Sequence, residues 1–405
     1  MIELRPFRAW RAAPDKAHLV GSRSYVSYTP EQLSEKLAGN PYTFLHVVHP
    51  DTQGSAPEPA DRRERFLRTR HAFKAFCDEG ILVRDAEPCI YVYEQTGRGN
   101  TTRGIITGVS VEAYRDGRIK VHEQTLTARE QLFVDYLQHT GVNAEPVLLA
   151  TPDGTAWEAL LDPITNRRPD HDFSTTDRVR HRLWACTDVK LREDLQRRFA
   201  EIPALYIADG HHRMASSAGL ADREQATDVD PKAWCLAYIV PRQQLYIYNF
   251  DRVVRGLNGH SIGSFREALA QVGELRPVAA PWAGPGSVAV YLAGQWYSLA
   301  LPHAEGAAAD RLDAARLNTA VLAPVLGIHD LRTDPRVHFV PGTSGTHELQ
   351  RQVDNGEADV AFHLHPVQFA ELQAVADSGG IMPPKSTYIE PKLRSGFTVY
   401  SLEDV

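Results

Sequence analysis

Apolar positions along the chain switch repeatedly between the helical period and the two-residue period of strands. The helical period predicts helices over residues 29–37, 62–78, 188–200 and 311–322, with others beginning near Thr127, Ser261 and Pro366. Strand formers cluster at residues 2–10, 44–48, 81–84, 89–94, 105–111, 118–122, 147–150, 234–240, 245–250 and 360–364. Because these elements interleave without regular β–α–β alternation, the pattern predicts an α+β fold.

Turn signals join some of these elements. Asp116-Gly117 predicts a tight hairpin between the strands at 105–111 and 118–122, and Thr127 with Glu130 forms a capping-box pair. Residues 234–240 and 245–250 predict a second hairpin, a third surrounds Gly294, and residues 51–60 predict a loop. The Pro-, Gly- and Ala-rich residues 276–287 mark one boundary, between a domain at 1–275 and a C-terminal α+β portion at 288–405.

The densest group of chemically active side chains is Asp209-Gly210-His211-His212-Arg213, which follows a short apolar strand and opens a helix. A strand that passes through a glycine turn into a helix directs the N–H groups of the helix start at one point, which favours phosphate. The alternative is an ordinary turn whose histidines and arginine are solvated. Because the two histidines are adjacent and not four residues apart, they do not predict a helix-borne zinc site.

Length, composition and charge bound the class of protein. With 405 residues, 43% hydrophobic and 23% charged, the chain has the make-up of a globular protein with two domains or one elaborated unit. A formal net charge of −7 argues against broad binding to nucleic acid or an anionic membrane. Without an 18-residue apolar run or a signal-peptide core, we expect a soluble, cytoplasmic protein with reduced cysteines. The oligomeric state stays open.

A second candidate stretch runs from Lys120 to Thr125 at the end of a predicted strand, where His122 and Glu123 point to opposite faces. A carboxylate held rigidly at a strand end is a candidate general base, because a base must lie within hydrogen-bond reach of the proton it accepts. The alternative for Glu123 is a surface side chain paired with Lys120 or Arg129.

A third candidate stretch, residues 382–392, contains three prolines and carries Lys385, Ser386, Thr387 and Lys392. Prolines stiffen the backbone, and a cation followed by two hydroxyls suits recognition of phosphate or carboxylate. The alternative is a proline-bounded turn with a solvated lysine.

Two further polar stretches carry weaker signals. The glycine-rich residues 97–104 are not followed by a predicted helix, so they match neither a phosphate-binding loop nor a dinucleotide fingerprint. A second group either lines the same pocket as the central turn or lies in solvated loops; its members are His171, Asp172, Asp177, His181 and Trp184.

Several of these stretches resemble a widespread bacterial and archaeal family catalogued as a domain of unknown function. The resemblance spans nearly the whole chain and rests on Pro6-Phe7-Arg8-Ala9, Phe44-Leu45-His46-Val47, Arg103-Gly104 and residues 119–125, 206–213 and 382–393. The Gly-His-His-Arg turn is similar to that of the ParB/sulfiredoxin-like superfamily, which includes free serine kinases, sulfiredoxins and nucleotide-binding segregation proteins. The resemblance implies a ParB/sulfiredoxin-like mixed core around a strand–turn–helix, elaborated by a second α/β portion whose 382–387 segment returns to the active site.

For the site, the resemblance implies a phosphate cradle. Asp209 would face Mg²⁺ or the substrate hydroxyl, and Glu123 would deprotonate the attacking hydroxyl, with His212 as a further catalytic residue. Nucleotide phosphates would be held by Gly210, His211, His212, Arg213, Lys385, Ser386 and Thr387. The substrate would be held by His122, Thr125 and Lys392.

These implications lead to the hypothesis of a nucleotide-dependent phosphotransferase, a kinase that uses ATP or ADP with Mg²⁺. Its substrate would be a small hydroxyl-bearing metabolite such as serine or a related amino acid. Two alternatives stay open: a nucleotide-binding switch without small-molecule turnover, and a hydrolase of a phosphorylated metabolite. Sulfiredoxin-like reduction is disfavoured because it needs a nucleophilic cysteine in the central turn, where this chain has His211 and His212.

The chain departs from its relatives at two places. Residues 23–27 read Arg-Ser-Tyr-Val-Ser where relatives have a Pro-Pro-Tyr-Asp-Val stretch, so an acidic residue is missing. Asp251 stands before Arg252 where relatives have histidine. If the missing acid binds metal or substrate in the relatives, this chain uses another substrate or lacks activity.

Overall fold

The computed structural model describes residues 1–50, 61–152 and 157–403. The loop predicted at residues 51–60 lies outside the described residues. The chain separates into two compact units. Unit 1 comprises Met1–Lys120, Thr125–Leu245 and Pro391–Val405, and unit 2 comprises Val121–Gln124 and Tyr246–Glu390.

Unit 1 combines short and long strands with helices of up to 17 residues. Up to residue 241, its described strands are β1 (Leu4–Arg5), β2 (Trp10–Ala12), β3 (Leu82–Arg84), β4 (Ile90–Gly97), β5 (Asn100–Ser110), β6 (Ile119–Lys120), β7 (Val142–Asn143), β8 (Val147–Thr151), β9 (His171–Ser174), β10 (Arg180–Cys186), β11 (Leu205–Asp209) and β12 (Trp234–Pro241). Its described helices are α1 (Ala17–Val20), α2 (Pro30–Gly39), α3 (Leu45–Val48), α4 (Arg62–Asp78), α5 (Val111–Arg115), α6 (Thr127–Thr140), α7 (Trp157–Thr165), α8 (Val189–Ala200) and α9 (His211–Arg223).

A large mixed sheet organises unit 1. Its order is β6-β11-β8-β12-β5-β4-β10-β9, and β1 also pairs with β5. β11 runs parallel to β6 and antiparallel to β8, while β12 runs parallel to β8. All eight residues of β12 are buried, as expected for a central strand covered on both faces. The sheet thus holds β11, the strand that leads into the central turn, between two neighbours.

Unit 2 is built around an antiparallel sheet. Its described strands are β13 (Tyr246–Tyr248), β14 (Phe250–Val254), β15 (Leu275–Val278), β16 (Ser287–Leu292), β17 (Gln295–Ala300), β18 (Val337–Pro341), β19 (Val360–Leu364) and β20 (Tyr388–Glu390). Its described helices are α10 (Ile262–Val272), α11 (Asp313–Leu317), α12 (Thr346–Asp354) and α13 (Phe369–Asp377). The chain then adds β21 (Tyr400–Ser401) to unit 1, where it pairs with β7.

The six-stranded sheet of unit 2, in the order β15-β17-β16-β19-β14-β18, has a hydrophobic cluster on each face. Val254 of β14 packs into the larger cluster with Phe265 of α10 and Leu317 of α11. The preceding residue, Val253, packs into the smaller cluster with Leu349 of α12. This division follows from the alternation of side chains along a strand.

The structure confirms the elements that carry strong local signals. The helix predicted at residues 62–78 is α4, and α2 begins at Pro30 after the cap Thr29, whose side chain accepts a hydrogen bond from the Gln32 backbone. Asp188 caps α8 in the same way. The hairpin around Gly294 joins β16 to β17, and the strand predicted at 360–364 is β19.

Other predictions were wrong because tertiary packing decided the outcome. Residues 44–48 contain the helix α3 and no strand. Asp116 and Gly117 end the helix α5, and β6 after them pairs with β11 and not with β5. The predicted capping box of Thr127 is absent from the described start of α6, where Thr125 instead donates a hydrogen bond to Glu130. β12 and β13 do not pair with each other, since β12 joins the large sheet and β13 pairs with β20.

No helix in the described part of the chain is both long enough and apolar enough to span a membrane.

Gly104 in β5 is a position where the large sheet leaves no room for a side chain. A Cβ atom there would lie 2.1 Å from the carbonyl oxygen of Ile239 and 2.7 Å from Cγ1 of Val240, both in β12. Because β5 and β12 would have to separate, we expect Gly104→Ala to lower the free energy of unfolding by about 2–4 kcal/mol. The measurement is urea unfolding followed by circular dichroism.

The matched control is Gly39→Ala at the end of α2, where a Cβ atom would meet no described atom within 4 Å. Its expected effect is less than about 1 kcal/mol in either direction. Equal unfolding curves for the two variants would show that β5 and β12 do not approach each other this closely.

Candidate functional site

The central turn is a strand–glycine–helix junction in unit 1. β11 ends at Asp209, Gly210 has a φ of +99°, and α9 begins at His211. Residues with a Cβ adopt this left-handed conformation only with strain. A Cβ on Gly210 would also lie 2.7 Å from Nε of Arg213. The backbone conformation therefore favours glycine, and a Cβ at this position would also displace the Arg213 guanidinium.

Arg213 bridges two carboxylates beside this turn. Its Nη2 lies 2.6 Å from Oδ2 of Asp209, and its Nη1 forms an ion pair with Glu145, just before β8. The second carboxylate oxygen of Asp209, Oδ1, lies 2.7 Å from Nζ of Lys392. The structure thus brings together three residues named from the sequence, Asp209, Arg213 and Lys392. They form one charge network with Glu145.

Both charges at the core of this network are stabilised. Burial alone would raise the pKa of Asp209, but the charges of Lys392 and Arg213 outweigh it and hold that pKa below its usual value. Burial likewise lowers the pKa of Arg213, but the carboxylates of Glu145 and Asp209 outweigh it and raise that pKa. Asp209 is therefore an ionised carboxylate at neutral pH.

The start of α9 provides backbone donors. The N-cap residue of α9 is Gly210, and in the described structure no side chain caps the helix there. The first turn of α9 also carries no acidic residue. The N–H of Met214 donates to the carbonyl of Gly210 at 3.1 Å, so the preceding N–H groups of the turn lie ahead of the first full helical bond. The helix dipole adds a partial positive charge at this end. These features suit an anion.

The two histidines of the turn differ in their environments. His211 is buried, whereas His212 is half-buried, and no hydrogen-bond partner for its Nδ1 occurs among the described residues. Burial lowers the pKa of His212, and the charge of Arg129 lowers it further, against an opposing effect of Glu130. His212 is thus mainly neutral at pH 7 and can accept a proton or a hydrogen bond there.

Of the remaining sequence candidates, His122 and Glu123 lie in unit 2, and Thr125 lies in unit 1. His122 is fully buried, and its carbonyl accepts a hydrogen bond of 2.8 Å from the backbone N–H of Met382. This bond joins the second and third candidate stretches within unit 2. Glu123, the proposed base, is half-buried.

The third stretch exposes its lysine and buries its hydroxyls. Lys385 has a φ of +54°, is exposed, and holds its Nζ 5.1 Å from the ring centre of Phe250. Ser386 and Thr387 are buried, and the Ser386 hydroxyl donates to the carbonyl of Pro383 at 2.8 Å. Lys385 is thus the accessible group of this segment.

The polar cluster at residues 171–184 belongs to a network inside unit 1. Asp177 forms ion pairs of 2.6 Å with Arg23 and with Arg394. Burial lowers the pKa of His181 to about 3, and its Nδ1 lies 2.7 Å from the hydroxyl of Tyr93. Arg23, in the stretch that departs from the relatives, therefore has an ion-pair partner in the fold.

Glu145 is a member of the charge network that no sequence pattern indicates. It precedes Pro146 and the apolar strand β8 without a recognisable motif. Only the pairing of β8 with β11 makes Glu145 a neighbour of the turn. Within residues 1–50, 61–152 and 157–403, no group of three or more His, Cys, Asp or Glu side chains could hold a metal ion.

A family model matches most of the chain. The model described as "Protein of unknown function (DUF1015)" matches residues 4–318. The chain belongs to this family. No curated protein matches this chain significantly.

Several solved structures resemble this chain, with low sequence identity and low TM-scores. A free serine kinase in complex with AMP is 13% identical, with a TM-score of 0.36, over 72% of this chain and 91% of the other. A conserved hypothetical protein from Pyrococcus furiosus is 14% identical, with a TM-score of 0.36, over 74% and 96%. SbnI with a C-terminal truncation from Staphylococcus aureus is 14% identical, with a TM-score of 0.38, over 72% and 85%.

The Arg213 bridge generates a stability prediction. Arg213→Ala leaves Glu145 without this ion pair and Asp209 with Lys392 alone, so we expect the free energy of unfolding to fall by about 2 kcal/mol. Urea unfolding measures the change. The matched control is Arg223→Ala in the last turn of the same helix, whose partner Asp135 lies on the surface. A surface pair contributes less than about 1 kcal/mol, so an equal loss in both variants would contradict a stabilising bridge.

The pKa of Asp209 generates a prediction about pH. Because that pKa is lower in the folded chain than the unfolded value of about 3.9, the ionised carboxylate stabilises the fold at neutral pH. This contribution is lost as the pH falls through the folded-state pKa. We therefore expect Asp209→Asn to unfold at a lower temperature than the original protein at pH 7, with a difference that shrinks below about pH 4. A difference that stays constant down to pH 3 would show that the charge of Asp209 is not the stabilising factor.

Proposed function

We propose that this protein is a nucleotide-dependent phosphotransferase that acts on a small hydroxyl-bearing metabolite, with serine or a related amino acid as the acceptor class. The observation that carries the proposal is the start of α9, which is entered through Gly210 without a side-chain cap and has the ionised Asp209 beside it. In the same proposal, residues 1–275 contain a ParB/sulfiredoxin-like core.

The phosphate-binding role rests on the backbone and on two cations. The N–H groups of the first turn of α9 would donate to phosphate oxygens, and the helix dipole would favour the negative charge. Arg213 and Lys392 provide fixed positive charge at the same turn. Both cations already contact Asp209, so phosphate would share or displace that contact. His211 and His212 would add hydrogen bonds more than charge, since burial lowers the pKa of His212.

Asp209 is suited to an electrostatic role. A carboxylate whose pKa is lowered is a weak base, so Asp209 would orient the acceptor hydroxyl or hold Mg²⁺. Mg²⁺ needs only one or two carboxylates when phosphates and water complete its octahedron, and when bound it would neutralise charge on the phosphates. Because Lys392 and Arg213 occupy the two oxygens of Asp209, one oxygen would have to exchange its partner.

The reaction itself is a displacement at phosphorus. The acceptor hydroxyl oxygen forms the new bond to phosphorus while the bond to the nucleotide's leaving oxygen breaks, and that oxygen keeps the electron pair. The proton of the hydroxyl passes to a base, for which Glu123 is our candidate, with the neutral His212 as a second proton acceptor. Of the remaining sequence candidates, Lys385 stays a candidate phosphate contact, and Thr125 and Lys392 stay candidate substrate contacts. Ser386, Thr387 and His122 are buried and would have to become accessible before they could contact a ligand.

The first test is calorimetric titration with ATP and ADP, with and without Mg²⁺. We expect one nucleotide to bind with a dissociation constant of roughly 1–100 µM, and Arg213→Ala to weaken binding about tenfold or more, since a charge-assisted contact to phosphate is lost. Arg223→Ala at the far end of α9 should bind like the original protein. Absence of binding by both nucleotides would contradict the proposal.

The second test follows phosphoryl transfer by ³¹P NMR with the bound nucleotide and L-serine, then with other hydroxy amino acids. We expect a phosphate monoester to form, and both Asp209→Asn and Glu123→Gln to slow its formation by about 100-fold or more. Nucleotide binding without transfer to any acceptor would favour the switch protein. Release of inorganic phosphate from a phosphorylated metabolite would favour the hydrolase.

A further inference from the structure

Unit 2 contains a buried arginine that the proposed phosphotransfer site does not use. Arg252 lies in β14 and is 1% exposed. Side chains alternate along a strand, so Arg252 faces the same side of the sheet as Val254, the side of the larger hydrophobic cluster. Its Cζ lies 5.5 Å from the ring centre of Phe339, at the border of that cluster. A full charge is thus placed at the edge of an apolar core.

Two of the three guanidinium nitrogens of Arg252 make no hydrogen bond to the described residues. Its Nη1 donates to the carbonyl of Phe250, whereas neither Nε nor Nη2 has a hydrogen-bond partner in the described part of the chain. Nε and Nη2 carry parallel N–H groups along one edge of the guanidinium. This edge matches two oxygens of a carboxylate or phosphate group.

The neighbouring carboxylate, Asp251, accepts no hydrogen bond from Arg252, because its hydrogen-bond partners lie elsewhere. Its Oδ1 lies 3.0 Å from Nδ1 of His363 and accepts hydrogen bonds from the backbone of Leu364, at 3.1 Å, and from the side chain of Asn249. Asp251 also points to the opposite face of β14. Burial lowers the pKa of Arg252 to about 10, and Asp251 offsets this only in part.

Arg252 lines a cleft that opens to solvent and has a cavity volume of about 90 Å³. Arg311, His365 and Ser386 line it as well. Its two carboxylates are already engaged. Asp313 accepts a hydrogen bond from the backbone N–H of Gly286 and pairs with Arg316 at 2.8 Å. Glu371 accepts a hydrogen bond from the backbone N–H of Gln368 at the start of α13.

Two arginines of the cleft, Arg252 and Arg311, have fewer charged or hydrogen-bonding partners than its two carboxylates. Arg311 is exposed at the rim and forms no ion pair within the described residues. Arg252 and Arg311 thus both line a cleft whose volume of about 90 Å³ has room for a small anion. An oxyanion is the ligand whose charge and oxygen spacing both fit.

We propose that this cleft is an anion-binding site of unit 2, in which Nε and Nη2 of Arg252 hold a phosphate or carboxylate group of a small metabolite in a bidentate contact. Both donors are buried in the structure, so the proposal requires the guanidinium to turn toward the cleft when the ligand enters. Arg311 attracts the ligand at the rim. This site goes beyond the phosphotransferase proposal and does not depend on it.

The test titrates inorganic phosphate and, separately, acetate into the full-length protein at low ionic strength, with Arg252→Met and Arg311→Glu as variants. We expect one of the two anions to bind the original protein, Arg252→Met to weaken it at least about tenfold, and Arg311→Glu to weaken it about threefold or more. The preferred anion identifies phosphate or carboxylate as the recognised group. The matched control is Arg255→Met, one residue after β14 and exposed, which should bind like the original protein.

Stability separates a binding role of Arg252 from a structural one. Because Met fills a similar volume without a buried charge, Arg252→Met without ligand should unfold at the same or a higher temperature than the original protein. A lower unfolding temperature would assign Arg252 to the fold and overturn the proposal, as would unchanged binding in both Arg252→Met and Arg311→Glu.

The two anion sites can fail separately. Phosphate binding that survives Arg252→Met and disappears in Arg213→Ala would place the anion at the α9 turn and overturn the unit 2 site alone. Binding lost in Arg252→Met, in a protein that binds neither ATP nor ADP, would support the unit 2 site and contradict the phosphotransferase. No binding of phosphate or acetate at millimolar concentration would also overturn the unit 2 site.

Discussion

The approach of the Arg213 guanidinium to Gly210 is the contact on which the central turn depends. Without a Cβ at residue 210, the arginine can fold back from the first turn of α9 and reach Asp209, four residues earlier, and Glu145 before β8. One side chain thus ties a helix to the two paired strands β11 and β8. Lys392 and, after it, Arg213 also hold the pKa of Asp209 below its usual value, so that Asp209 stays ionised. In the function that we propose, an incoming phosphate would exchange one anion for another around Arg213, which avoids leaving a part-buried cation without a counter-charge.

The sequence was sufficient where the signal is local. Thr29 and Asp188 fix their helix starts through their own side chains, and residues 209–213 stand out because five chemically distinctive residues are adjacent. Prediction from the sequence failed where residues far along the chain determine the local structure. The apolar run at 44–48 forms a helix, and β12 pairs with β5 and β8 and not with β13. For the same reason the contact of Lys392 with Asp209, across 183 positions, and the presence of Glu145 could not be read from the chain.

Not every stretch that carries the family resemblance requires a chemical explanation. Arg103 lies 2.7 Å from Glu94, a carboxylate that is 1% exposed, and Gly104 permits β12 to approach β5. Both residues are accounted for by packing and charge compensation in the large sheet. The turn at 209–213 differs in its second histidine, because Nδ1 of His212 has no hydrogen-bond partner among the described residues. An excess of charged and polar groups over what folding requires is a sign of a binding site.

Asp251 and Arg252 show the same distinction within two adjacent residues. The carboxylate of Asp251 is satisfied by several donors on its face of β14, so its burial is compensated within the fold. Arg252, on the opposite face, is equally buried and keeps two donors unmatched among the described residues. An uncompensated buried cation reduces stability, whereas an apolar residue of similar size would fill the same space without that loss. The fold has no structural need for the free edge of Arg252, and a ligand oxyanion is the partner that would balance its charge and its geometry together.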